Sequence, residues 1–187
     1  MLMAVFCLGA SLIGINAQEK DWANLQRYAQ QNAELPKPDK NEKRVVFMGN
    51  SITEGWVNTH PDFFKSNGYI GRGIGGQTSY QFLVRFREDV INLSPALVVI
   101  NAATNDIAEN TGAYHEDRTF GNIVSMVELA KANHIKVILT TTLPAAAFGW
   151  NPAIKDAPQK IASLNARLKA YAQTNKIPFV DYLSLIH

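Results

Sequence analysis

Residues 44–48 (RVVFM), 96–102 (ALVVINA), 136–141 (KVILTT) and 178–182 (PFVDY) are short, β-branched and apolar almost throughout, without the alternation of a strand that has one wet face. Runs of that kind are strands buried on both sides, as in a parallel sheet. Residues 69–74 form a weaker fifth candidate. Between the runs, apolar residues recur at helical spacing: Phe82, Leu83, Phe86 and Val90, then Ile123, Met126, Val127 and Ala130, then Ile161, Leu164, Leu168 and Tyr171, with Pro158 near the start of the last segment. Strand and helix alternating in this way predict a right-handed three-layer α/β sandwich, residues 44–187 forming one domain.

Two segments precede this domain. Residues 1–17 carry no charge and end in a small residue, with Gln18, Glu19, Lys20 and Asp21 following at once. That pattern predicts a signal peptide cleaved after Ala17, and with it a secreted or periplasmic protein. No Lys or Arg stands ahead of the apolar run, which falls short of the ~20 residues of a membrane-spanning helix. Residues 18–43 read as a leading helix, with Trp22, Leu25 and Tyr28 on one face, and a polar, proline-punctuated linker. Cys7 is the only cysteine and falls inside the predicted signal, so neither a disulfide nor a cysteine metal site is expected. It is also a candidate for lipid attachment, although Ala4 stands where a leucine would be expected. The 18 basic and 16 acidic residues are dispersed, a net charge of +2 without a basic stripe, which disfavours nucleic acid as a partner.

In an open parallel sheet, function gathers beyond the carboxyl ends of the strands, where strand order reverses. The first three strands run into Gly49-Asn50-Ser51-Ile52-Thr53-Glu54, Gly73-Ile74-Gly75-Gly76-Gln77-Thr78 and Ala103-Thr104-Asn105-Asp106. A strand order of 2-1-3-4-5 would set these loops side by side, so that a hydroxyl, a glycine N–H and a carboxamide converge. Those are the parts of an acyl-transfer site: a nucleophile on a tight turn, and donors aimed at the oxyanion. Each piece also has a plainer explanation. Ser51 and Glu54 have capping-box spacing, as do Thr78 and Gln81, and Asn105 and Asp106 suit a turn in which each side chain bonds its own backbone. Gly71, Gly73 and Gly76 spell the dinucleotide fingerprint, but after the second strand and with no acidic residue at the required distance. The three loops taken together favour catalysis.

The three segments, at this spacing, resemble blocks of the GDSL/SGNH hydrolase superfamily, with Asn50 where Asp is usual. The resemblance implies a flavodoxin-like α/β/α fold on a five-stranded parallel sheet and metal-free, cofactor-free hydrolysis of esters through an acyl-serine. It implies Ser51 as nucleophile, with Gly76, Asn105 and the N–H of Ser51 itself binding the oxyanion. The family's last block, Asp-x-x-His, should open a final helix some tens of residues after the fifth strand. Here the sequence reads Asp181-Tyr182-Leu183-Ser184-Leu185-Ile186-His187, with Ser184 in the Asp position relative to His187. The expectation is therefore a C-terminally truncated domain without its closing helix, with Val45 and Phe47 partly uncovered, the catalytic base missing and activity impaired. His187 is the remaining candidate base. His134 should lie at the opposite rim, while His60 and His115 sit in segments leaving the active one. Trp56, Tyr80, Phe148 and Trp150 are candidates for lining an acyl or sugar pocket. The substrate class is a small-molecule, glycan or lipid ester, and the alternative is a catalytically silent ligand-binding or interaction module. The residues specify no oligomeric state.

Overall fold

Strands β1 (Val45–Gly49), β2 (Tyr69–Gly73), β3 (Leu97–Ile100), β4 (Lys136–Thr140) and β5 (Phe179–Val180) form one sheet in the computed structural model, which describes residues 21–182 and 184. All neighbours are parallel and the order is β2-β1-β3-β4-β5. Chain order therefore reverses between β1 and β3. The register sets Met48 of β1 beside Arg72 and Ile100, so the loops after β1, β2 and β3 leave the sheet at the same level.

Alternate strand residues decide which helix covers which face. Val46, Met48, Val98, Ile100, Val137 and Leu139 are buried in one cluster with Phe82 and Phe86 of α4 (Ser79–Asp89), Ile123 and Met126 of α6 (Glu116–Ala132) and Ile161 and Leu164 of α7 (Ala157–Thr174). Each such side chain contributes ~1.5–3 kcal/mol on leaving water, which is why these spacings hold helices here. Thr78 and Gln81 form the expected capping box at the start of α4, and α7 carries Pro158 in its first turn. The opposite face carries α2 (Ser51–Thr59) and α3 (Pro61–Ser66), which pack over β1 and β2. There the Phe47 ring meets Trp56, Phe64 and Tyr69 at centroid distances of 5.5, 5.4 and 5.3 Å. Val45 and Phe47 are half-buried, and a pocket of about 270 Å³ beside Phe47 is bounded by Ile52, Trp56, Val99, Leu143 and Tyr182.

The leading segment departs from the expected helix. It forms a 3-10 turn at Leu25–Arg27 and a short α1 at Ala29–Glu34. The Asp21 carboxylate accepts from the N–H groups of Leu25 (2.8 Å) and Gln26 (2.9 Å), and Asn24 takes a left-handed φ of 54°, which breaks any straight helix. Trp22, Leu25 and Tyr28 consequently share no face: Trp22 is exposed, while Ala23 and Tyr28 are buried. The expected signal segment with Cys7, and His187, lie outside the described residues. Among the described residues no helix is long and apolar enough to cross a membrane.

Candidate active site

At the carboxyl end of β1 the chain turns straight into α2, with Asn50 as its cap: Asn50 Oδ1 accepts from Ile52 N at 3.1 Å. The capping box expected of Ser51 and Glu54 does not form. The Glu54 carboxylate instead accepts from Gly75 N at 2.8 Å and pairs with Arg27 at 3.0 Å. Ser51, the first residue of α2, is therefore exposed, and among the described residues its hydroxyl has no hydrogen-bond partner. An Asn cap has left the serine available.

The loop after β2 lies directly against this turn. A Cβ on Gly73 would fall 2.3 Å from Glu54 N and 2.7 Å from Asn50 O, so only glycine lets the two segments approach this closely. A Cβ on Gly75 would lie 3.8 Å from Ser51 Cβ. Gly76 follows with a φ of +76°, a conformation L side chains avoid, and among the described residues nothing accepts its N–H. Gly71 and Gly73 belong to β2 itself, where a Cβ on Gly71 would meet Val57 of α2 at 2.1 Å. They are close-packing residues of a strand, not a phosphate-binding turn, so the dinucleotide fingerprint is coincidental.

After β3, Ala103 is held at φ 83°, a left-handed conformation that alanine rarely adopts, and leads into α5 (Thr104–Ile107). Asn105 is 3% exposed and donates from Nδ2 to Gln77 O at 2.9 Å, one residue beyond Gly76. Asp106 accepts from Ser79 N at 2.9 Å, from the Ser79 hydroxyl, and from Thr119 Oγ1 at 3.2 Å. The Asn105 side chain does not bond its own backbone as a simple turn would, whereas the Asp106 carboxylate accepts from its own N–H in addition to these partners. Asn105 reaches the second loop, and Asp106 ties α5 to α4 and α6. Burial pushes the Asp106 carboxyl above the ordinary aspartate range, while its hydrogen bonds from Ser79 and Thr119 pull it back. The structure thus brings Ser51, Gly76 and Asn105 to one mouth at the carboxyl ends of β1, β2 and β3.

Beneath that mouth lies a polar network that sequence reasoning missed. Arg85 of α4 is fully buried and donates to Gln77 Oε1 (2.6 Å), Asp89 Oδ2 (2.8 Å), Gly49 O (3.0 Å) and Arg72 O (2.9 Å). One guanidinium therefore braces the ends of β1 and β2. Gln77 links it outward, donating to Ala23 O at 2.7 Å while its own carbonyl takes Asn105. Burial draws the Arg85 and Arg72 pKa values below the usual guanidinium range, with Asp89 countering. The only sequence signal was the i,i+4 spacing of Arg85 and Asp89, which ordinarily marks a surface pair.

The histidines stand apart from Ser51. His60 follows the last residue of α2, about 13 Å along the helix axis, and its Nδ1 lies 2.9 Å from Thr59 Oγ1. His134 is exposed at the other end of the sheet, just ahead of β4. His115 precedes the first turn of α6, at the same end of the sheet as Ser51, with an exposed imidazole. No hydrogen bond joins any of these three to Ser51. Of the aromatic candidates, Trp56 is engaged in the ring cluster on the sheet face, Phe148 is buried and Tyr80 is half-buried. Trp150 remains largely exposed, with Nε1 donating to Asn110 Oδ1 at 2.9 Å.

A family profile described as GDSL-like lipase/acylhydrolase matches residues 47–187. The chain is similar to a candidate acylhydrolase from Bacteroides fragilis NCTC 9343, 99% identical with a TM-score of 0.88, covering 89% of this chain and 80% of that chain. It is also similar to a GDSL-like lipase from Bacteroides thetaiotaomicron VPI-5482, 79% identical with a TM-score of 0.85, covering 86% of this chain and 78% of that chain. Among curated proteins, an uncharacterized lipoprotein of Bacillus subtilis (strain 168), YqeF, is 32% identical over 117 residues, 54% of this chain and 48% of the relative. The chain therefore spans about half the length of that curated relative.

Proposed function

Because this chain belongs to the GDSL-like lipase/acylhydrolase family, we propose that it hydrolyses carboxylic esters through Ser51. The observation that carries the proposal is a serine hydroxyl without a described partner on a strand-to-helix turn, beside a glycine loop whose Gly76 N–H is likewise unengaged. In the proposed step, Ser51 Oγ bonds to the ester carbonyl carbon as its proton passes to a base. The negative oxygen that forms is held by Gly76 N–H, the second N–H of the Asn105 amide and the N–H of Ser51. Collapse expels the alcohol, which takes up the proton, and water releases the acid from the acyl-serine. Glu54 fixes the Gly75 N–H and so helps hold the next residue in place.

The base is the weak member of this set. None of the three described histidines bonds to Ser51, and a serine hydroxyl without a base is a poor nucleophile at neutral pH. We therefore propose that hydrolysis by the described residues alone is slow, His187 being the histidine outside them. In the serine protease subtilisin, loss of the base lowers kcat on the order of a millionfold. The same observation favours the second reading, a ligand-binding module with a silent site. Export is proposed from the uncharged leader, with the lipoprotein name of the Bacillus relative in support.

The test is hydrolysis of p-nitrophenyl acetate and butyrate. Ser51→Ala should fall to the uncatalysed rate, and Asn105→Ala should lose roughly a hundred- to a thousandfold in kcat, about 2.7–4 kcal/mol of transition-state stabilisation. Equal rates for the parent and Ser51→Ala would leave the silent module standing.

A further inference from the structure

Trp150 combines two properties that seldom coincide: its side chain is 61% exposed, and it is held in one orientation. The indole Nε1–H donates to Asn110 Oδ1 at 2.9 Å. The ring leans on Phe148, with centroids 5.2 Å apart and planes at 43°, and Phe148 itself is buried. Asn110 donates in turn through Nδ2 to the Gly76 carbonyl at 3.0 Å. Two hydrogen bonds thus link the indole to the glycine proposed to bind the oxyanion, and the neighbouring Gly75 faces Ser51. The loop bearing Trp150 is also fastened to the loop bearing Asn110, because Asn151 Nδ2 donates to Ala108 O at 2.9 Å.

With its N–H engaged, the indole offers solvent a flat apolar face, and that face is ordered before any ligand arrives. Ordering in advance removes the side-chain entropy that stacking would otherwise cost. The edge of the platform is polar where the indole meets the exposed Asn110 amide, and the next residue, Thr111, is also exposed, with its hydroxyl 3.1 Å from that of Thr78. A flat apolar face bordered by an amide, with a hydroxyl on the adjoining residue of the same loop, matches a pyranose, which carries C–H groups on its face and hydroxyls around its rim. A fatty acyl chain has no use for that polar edge and is better served by aliphatic walls.

We infer that Trp150 is the stacking platform for a sugar ring in the alcohol part of the substrate, with Asn110 and Thr111 at its hydroxyls, so that the ester cleaved is an O-acyl carbohydrate. The chemistry of cleavage rests on the Ser51 reading, whereas the platform is a binding claim that needs no turnover.

Two measurements separate these. In the full chain carrying Ser51→Ala, cello-, xylo- and manno-oligosaccharides are titrated while tryptophan fluorescence is followed. At least one should change the emission saturably, and the change should vanish in Ser51→Ala/Trp150→Ala. In the parent chain, kcat/KM is measured for the O-acetylated forms of the same oligosaccharides and for p-nitrophenyl acetate. Trp150→Ala should lower the glycan value about tenfold more than the p-nitrophenyl value, chiefly through KM, and Trp150→Phe should keep most of it. A fluorescence response without Ser51-dependent hydrolysis would sustain the platform and remove the hydrolase reading. Hydrolysis with the same Trp150→Ala effect on both substrates, or a preference rising to p-nitrophenyl palmitate with no glycan ester cleaved, would overturn the platform and leave the hydrolase.

Discussion

Arg85→Met removes a fully buried guanidinium whose four hydrogen bonds end on Gln77, Asp89, Gly49 and Arg72. The Asp89 side chain is only 2% exposed, so the substitution strands a carboxylate in the interior with Asn32 Nδ2, at 2.7 Å, as its remaining described donor. Breaking a buried ion pair from one side costs about 3–5 kcal/mol, because the orphaned charge keeps its desolvation penalty without its attraction. Domains of this size are stable by about 5–15 kcal/mol, so the variant should lose a large fraction of its margin while still folding. Removing both charges in Arg85→Met/Asp89→Leu takes away the stranded carboxylate and leaves the neutral acceptors of Gln77, Gly49 and Arg72 unpaired, while the Arg72 guanidinium loses the support of Asp89 and Asn32 Nδ2 keeps Glu88 O as its acceptor. The double variant should therefore be more stable than the single one. Urea unfolding followed by tryptophan fluorescence reads both values from the midpoint and slope. A cost below about 1 kcal/mol for Arg85→Met, or a double variant less stable than the single, would refute the argument that this pair braces the ends of β1 and β2.

Gly73→Ala sets a methyl against the Glu54 and Asn50 backbone at 2.3 and 2.7 Å, where no side chain can give way. It should destabilise by about 1–3 kcal/mol or more and, by shifting Ser51 relative to Gly76, lower kcat/KM about a hundredfold in esterase assays; wild-type thermal stability and rate would contradict this. Gly71→Ala meets chiefly the Val57 Cγ2, at 2.1 Å, so Val57→Ala should partly rescue it, and a double-mutant cycle should show coupling of about 0.5 kcal/mol or more; strict additivity would be the contrary result. Asp106 titrates above its unfolded value of 3.8 because it is buried, so its carboxyl contributes stability that is full below 3.8 and lost as pH rises through its folded pKa. The unfolding free energy of the parent minus that of Asp106→Asn should accordingly fall as pH rises from about 3 to about 7; a difference that grows with pH would contradict the raised pKa.

The sheet was legible because its central strands are buried on both faces and so read as unbroken apolar runs. Strand β2 was faint for a reason the structure supplies. Gly71 and Gly73 are there to admit α2, and Arg72 is buried by partners from the leading segment, its guanidinium donating to Asn32 Oδ1. The three loops of the mouth could be located from position, since each follows a strand, but the choice of Gly76 among the glycines of the second loop came from the family resemblance. Which residue caps α2 could not be read from position: Asn50 and Ser51 are both good caps, and only the placement of Glu54 against Gly75 decides between them. The leading segment reads as one helix in sequence because a 3-10 turn set by the Asp21 carboxylate gives apolar spacing close to that of an α-helix. The link from Trp150 through Asn110 to Gly76 joins three loops distant in sequence, and no local pattern announces it.

Covalent capture tests the central assignment most directly. After long incubation with a fluorophosphonate, intact-mass and peptide analysis should find one adduct per chain, on the peptide containing Ser51, formed slowly and absent from Ser51→Ala. An adduct on a different serine, with ester hydrolysis persisting unchanged in Ser51→Ala, would contradict it.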